Sequence, residues 1–404
     1  MEIKSSLDLV NYDPATGILT VEGIPVTYHC NIFNHFFSYG IRMILGEESG
    51  KEIVYRASEF AHHRLFKRLK ERYNLNDRQT YEMGMRYFKS RGLGVLNVRG
   101  TEDISLIAST HAHTHMKVMK GISSVPVCDV ERGFIAGLLE AALDVDPGRL
   151  YVEETECIAM GDPICRLKVG VRGERVNYPD PDYSRVKLYG VKEGLKERAE
   201  NMSKIIPLIP PPDRSGIIAI PSRFKDVGKV WVSQLPTEYY SYANMRILEL
   251  ADEDSARYVM TLAGYACVFF TYVSLESTPI GDLLIGGTQD EDEYIRRLFS
   301  MGNYLGFGVF DIEVYRDGAK AKIYNFYENN YLLALSMEPV SYFLNGATLA
   351  TYVAGRVYKT YRSRDVFSIL KVMKSFDDFY GRAEFSSSFD KSQNAQSVDF
   401  TLKV

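Results

Sequence analysis

Long uninterrupted apolar stretches are missing from this sequence. Nowhere do about 18 apolar residues run together, so no segment reads as a membrane span. The opening MEIKSSLDLVNYDP also lacks the apolar core of a secretory signal, and the expectation is a cytoplasmic protein. An excess of positive charge is missing too. The 404 residues carry 48 Lys+Arg against 52 Asp+Glu, a net charge of −4 with no basic block, so a nucleic-acid groove has no electrostatic support. Cysteine is scarce: five over this length do not make a disulfide scaffold. In a reducing compartment a cluster of thiols reads first as metal-binding or catalytic. Catalytic machinery is not declared either. Gly46-Glu47-Glu48-Ser49-Gly50-Lys51 lacks both the spacing of a phosphate-binding loop and the strand before it. No dinucleotide fingerprint and no Ser/His/Asp nucleophile arrangement stands in a supporting context.

What is present is repetition. A chain of 404 residues exceeds what one hydrophobic core usually organises, and its halves share patterns in the same order. Phe36-Phe37-Ser38-Tyr39 leads into an acidic, apolar-periodic helix pattern, as does Tyr239-Tyr240-Ser241-Tyr242. RYFKSRGLGVLNV from Arg86 answers to RRLFSMGNYLGFGVFDI from Arg296, each a helix end, a glycine turn and a strand. Pro126-Val127-Cys128 precedes Gly133 by the interval that separates Pro339-Val340-Ser341 from Gly346. A period this long means duplicated domains rather than a solenoid; the alternative is two unrelated α+β domains with similar patterning. The expected organisation is a first lobe over residues 1–170, a proline-rich linker with a helix over 171–212, and a second lobe over 213–404. The fold class is α+β, two related lobes forming a pseudo-dimer, each an antiparallel sheet packed with helices. For the first lobe the pattern predicts helices near 35–72, 78–91 and 127–143. It predicts strands near 93–99, 103–109, 150–158 and 163–169, the last two joined through Met160-Gly161-Asp162-Pro163.

The cysteine cluster falls on the last hairpin. Cys157 and Cys165 sit on its two arms, where cross-strand side chains on one face come within chelating reach. Cys128 opens a helix, where backbone N–H groups and the dipole favour a thiolate. Zinc takes a closed tetrahedron of such ligands, but spacing alone does not choose a fourth among Glu153, Glu154 and Glu156.

PVC-x4-G-x3-G followed by Y-V-E-E-T-E-C-x-A-x-G-D-x-x-C-x-L resembles the 4-vinyl-reductase domain family. It is also similar to the sensor domains of bacterial transcriptional activators that respond to phenols and other aromatic hydrocarbons. The resemblance covers about residues 30–170 well and the second lobe weakly. It implies a structural zinc held by Cys128, Glu154, Cys157 and Cys165; the bland alternative is buried free cysteines. In the second lobe Ser341 stands where the first cysteine would be, and LKVMKSFDDFYGRAEF offers no thiol where the hairpin pair is expected, so no zinc is expected there. Cys267, within AGYACVFF, reads as core.

The resemblance also implies a cavity for hydrophobic or aromatic molecules, walled by the segment leading to Pro126. Read as a strand, Ser109–His115 puts His111, His113 and His115 on one face, a pocket lining, a solvated edge or a second metal site. The matching stretch, Asn325-Phe326-Tyr327-Glu328-Asn329, is aromatic and makes Tyr327 its pocket candidate. Cys30, after His29 at a helix start, could be a functional thiol, and His62-His63 defaults to the surface. With no room seen for an ATPase or DNA-binding domain, the expected function is a stand-alone binding or sensor protein for a hydrophobic or aromatic ligand. It would act through a protein partner or homodimer. The alternatives are an enzyme or accessory acting on a conjugated molecule such as a tetrapyrrole, and an assembly protein.

Overall fold

The computed structural model describes residues 5–100, 103–172, 176–222, 229–358 and 369–403; residues 173–175 of the expected linker lie outside these. Three strands the sequence pattern did not reveal come first: β1 (Val10–Asp13), β2 (Ile18–Val21) and β3 (Ile24–Cys30). They lead into α1 (Asn31–Leu45), α2 (Glu47–Tyr73) and α3 (Asp77–Ser90). The single helix expected over 35–72 is thus two, broken at Gly46, whose φ of 81° a helix cannot continue. Then follow β4 (Leu96–Gly100), β5 (Asp103–Leu106), α4 (Thr110–Met119), α5 (Asp129–Ala142), β6 (Leu150–Glu156) and β7 (Cys165–Val171).

A connecting segment carrying α6 (Leu195–Ile205) precedes β8 (Ile218–Pro221), β9 (Lys229–Pro236), α7 (Thr237–Leu250) and α8 (Glu253–Cys267). The helix runs on as a π-helical turn, Val268–Val273, into α9 (Ser274–Glu276), α10 (Pro279–Ile285), α11 (Glu291–Ser300) and α12 (Gly302–Leu305). The order of the first half then returns: β10 (Val309–Val314), β11 (Gly318–Tyr324), α13 (Tyr327–Ala334) and α14 (Phe343–Val353). An additional helix, α15 (Ile369–Tyr380), precedes β12 (Ala383–Asp390) and β13 (Ala395–Leu402).

Duplication is visible in the sheets. One four-stranded antiparallel sheet runs β4-β5-β7-β6 and the other β10-β11-β13-β12, the same order. The matched glycines have one job. Gly133 lets α5 lie against α2, where an added Cβ would stand 2.2 Å from the Tyr55 carbonyl oxygen. Gly346 lets α14 lie against α8, where it would stand 1.7 Å from that of Thr261. Any side chain at either position forces the helices apart.

The halves are interlocked. β3 pairs antiparallel with β9, His29 opposite Ser233 and Cys30 opposite Val232, inside a five-stranded sheet β1-β2-β3-β9-β8 that draws strands from both. The next helices cross over: α1 packs on α8 of the second half, and α7 packs on α2 of the first. Their rings fill the junction, with His29 stacked on Phe33 at 4.4 Å and on Phe307 at 4.7 Å between centroids. Glu253–Glu276 is long and apolar enough to cross a membrane, but 89% of its apolar window is buried inside the protein. It is the core helix of the second half.

Candidate metal centre and the polar pocket beside it

Three local features bring four ligand side chains together. Cys128 stands at the start of α5. Cys165 is the first residue of β7, facing Leu106 of β5. Glu154 lies in β6 just before a bulge, where Glu154 pairs with Leu167 and Glu156 with Arg166, leaving Thr155 as the extra residue. A bulge re-aims side chains, and here Glu154 is buried while Glu153 and Glu156 are not. Beyond it, Cys157 caps a short 3-10 turn, Ile158–Met160, that ends on Gly161 at φ 99°. Asp162 closes the loop by accepting the Cys157 N–H at 2.8 Å.

The four ligand atoms of Cys128, Glu154, Cys157 and Cys165 lie within 4.8 Å of one another, and all four residues are buried. The Cys128 and Cys165 sulfurs are 3.6 Å apart, close to the edge of about 3.8 Å that bonds of ~2.3 Å give a tetrahedron. One Glu154 oxygen accepts the Cys128 N–H at 3.1 Å; the other is buried without a protein partner. Burial pushes Cys128 and Glu154 well above their ordinary pKa values, while hydrogen bonds from Cys128 and then Cys165 hold Cys157 low. Groups that would all be anionic as ligands are packed without a cationic side chain among them, the chemistry of a donor set for a metal ion.

The histidines beside it correct an expectation. Thr110–Met119 is a helix, not a strand: Ser109 caps it by accepting the Ala112 N–H at 3.0 Å, and Lys120 ends it at φ 52°. His111 and His115, four apart, share the buried face, whereas His113 points away and is half-buried. Ser109 links the two features, taking the Cys128 S–H at 3.2 Å and donating to Glu131 at 2.9 Å. His111 Nδ1 meets the same Glu131 oxygen at 2.8 Å.

Residues that the sequence reading missed complete the surroundings. His35 of α1 meets His115 edge-on, ring centroids 5.0 Å apart. Burial, then His115 and His111, lower its pKa to about 3. Arg42 pairs with Asp129, and from the other half Tyr239 brings its hydroxyl to 3.5 Å from that of Ser38. His35 Nε2, His111 Nε2, His115 Nδ1 and one Glu131 oxygen are buried without protein partners. Buried polar atoms are nearly always satisfied, so this group is built to meet hydrogen-bonding atoms from elsewhere. The only sequence sign was position: Asp129 and Glu131 follow Cys128 directly.

Other candidates fall elsewhere. Tyr327 is 3% exposed at the start of α13, packed against Phe326 and Phe307 in the junction core. Cys30 caps α1, accepting the Phe33 N–H at 3.4 Å, and burial raises its thiol to about 11, which suits structure rather than nucleophilic use. Cys267 is core as expected, 1% exposed, its sulfur 3.5 Å from His29 Nδ1. His62 and His63 are buried, not on the surface; His62 packs on Phe134 at 4.5 Å. The second hairpin lies at 383–402, later than the stretch 370–385 expected to hold it, and contains no cysteine.

Compared with known proteins, residues 113–171 match the model of the 4-vinyl-reductase domain, the family whose resemblance the motif carries. The match spans all four clustered ligands. Among solved structures the chain is similar to the phenol-responsive sensory domain of the transcription activator PoxR, solved with phenol. Identity is 17% and the TM-score 0.35, over 41% of this chain and 85% of that one. No curated protein matches.

Proposed function

We propose that this chain is a zinc-containing, small-molecule-binding protein of the sensing type, with a structural metal at Cys128, Glu154, Cys157 and Cys165 and a ligand site walled by His35, His111 and His115. One observation carries the reading. The cluster of three cysteines and Glu154 is tied through Ser109 and Glu131 to His111, so a closed donor set stands behind a face of buried, unpartnered polar atoms. The donor set leaves no side for substrate, which suits a structural metal. The polar face suits a ligand that is mostly apolar and carries a hydroxyl or carbonyl, since few placed polar groups fix orientation in such sites. The match to the 4-vinyl-reductase domain agrees with a binding role. The proposed division is a metal-bearing lobe over residues 1–170, a linker over 171–212 and a metal-free lobe over 213–404.

Native mass spectrometry of the freshly purified protein tests this, with calorimetric titration of aromatic hydroxyl compounds. One zinc per chain is expected, with an aromatic alcohol binding at least tenfold more weakly to His111→Ala. A metal-free native protein, or unchanged affinity in that variant, refutes the reading.

A further inference from the structure

A narrow cleft opens where α1 of the first half crosses α7 and α8 of the second, far in character from the histidine face. Its walls are apolar, Phe37 and Ile41 from α1, Ile247 from α7 and Met260 from α8, with one polar side chain, Asn244, among them. Asn244 is 4% exposed. Its amide nitrogen donates to Glu328 of α13, which fixes the orientation of the amide. Its oxygen is buried without a protein partner. Glu328 is held from behind by the Ser341 hydroxyl at 2.6 Å. The residue that replaces a metal ligand in the second half therefore anchors the side chain that presents a lone acceptor to the cleft. The free space is about 20 Å³, roughly that of one water molecule, so only a slender group fits. Gly40 and the half-buried Ile44 are the least enclosed residues of the wall, which puts the mouth on that edge of α1.

We propose that this cleft is a second small-molecule site, taking the hydroxyl-bearing end of an unbranched alkyl chain, its O–H donated to the Asn244 oxygen and its methylenes leaving through the Gly40–Ile44 edge. An acceptor with no other partner discriminates by hydrogen bonding, whereas apolar walls alone would not.

The test titrates the full chain calorimetrically with 1-octanol and with methyl octyl ether, which has the oxygen but no donor. Octanol is expected to bind about tenfold more tightly. Asn244→Leu should bring the two to the same affinity. Should that variant misfold, Gly40→Leu serves alone: a side chain there meets nothing within 4 Å and is favourable to a helix, so it plugs the mouth of a folded protein and should abolish binding of both. Equal affinities in the wild type, or octanol binding that survives Gly40→Leu, overturns the proposal.

Discussion

Removing the metal offers the sharpest measurement, because the interlocked halves set its size. A ligand bound only to the folded state at a free concentration 1,000 times its Kd stabilises by about 4 kcal/mol. Unfolding entropy runs near 2.1 cal/mol/K per residue at the midpoint. If the first half melted alone, its roughly 160 residues would give an entropy of about 0.34 kcal/mol/K and a chelator would lower its Tm by about 12 °C. If the whole chain melted as one unit, the same free energy would move Tm by only about 5 °C. The β3–β9 ladder and the exchanged helices α1 and α7 join the halves through backbone hydrogen bonds and shared core, so one transition shifted by about 5 °C is the expectation. Scanning calorimetry with and without a strong chelator, with metal counted by elemental analysis, makes the test. Two separate transitions would refute the interlocking as an energetic unit. A single transition indifferent to the chelator would refute the structural metal.

Cys165→Ser should reproduce the chelator's effect without chelator, whereas Cys267→Ser should leave metal content unchanged; elemental analysis of both purified variants decides this. Glu140 is held up to about 8, by burial first and then by the charge of Glu59, from an ordinary 4.5. Its contribution is therefore fully present below about pH 4.5 and lost as pH rises through 8. Glu140→Gln should match the wild type at pH 4.5 and exceed it at pH 9, by up to about 4–5 kcal/mol at 1.36 kcal/mol per pKa unit; equal denaturation midpoints at both pH values would contradict this. Gly133→Ala and Gly346→Ala should each destabilise by roughly 2–4 kcal/mol through overpacking, read in urea. Near-neutral values would show that the α2–α5 and α8–α14 contacts can relax.

The duplication was legible because it rests on what sequence records directly, glycines at close helix contacts and matched runs of apolar residues. The ligand set was legible for the same reason: Cys128, Cys157 and Cys165 are rare residues at telling intervals. Choosing Glu154 from its neighbours needed the bulge at Thr155, which alternation does not encode. The helix Thr110–Met119 was misread because Thr-His-Ala-His-Thr-His alternates in polarity like an edge strand. Its true signal was the cap at Ser109, three residues before Ala112. Strands β1–β3 are short, and β3 finds its partner about 200 residues away, beyond what a local pattern records. His35 and Tyr239 join the polar pocket through the crossing of α1 and α7, a tertiary event with no local trace.

The second half shows what must replace a metal when the fold is kept. The ladder Leu96, Leu106, Cys165 in one sheet answers to Val309, Tyr324, Ala395 in the other, so Ala395 holds the register position of Cys165, and Ser341 that of Cys128. The elements these positions tie together are the start of the long helix and the last strand, and they still need a cross-link. Hydrogen bonds supply it. Gln396, next to Ala395, donates to the Ser341 carbonyl at 3.2 Å and accepts from Asn329 of α13 at 3.1 Å, while the Ser341 hydroxyl reaches Glu328 of the same helix. Such a network joins α13, α14 and β13 with neutral or shared protons, and burial lifts Glu328 to about 7, so that no cation is required to offset it. A metal cross-link in one half and an amide–hydroxyl network in the other thus hold equivalent junctions. Restoring Cys at 341 alone is accordingly expected to break the Glu328 contact and lower stability without gaining metal, since the hairpin from 383 to 402 has no thiol to meet it.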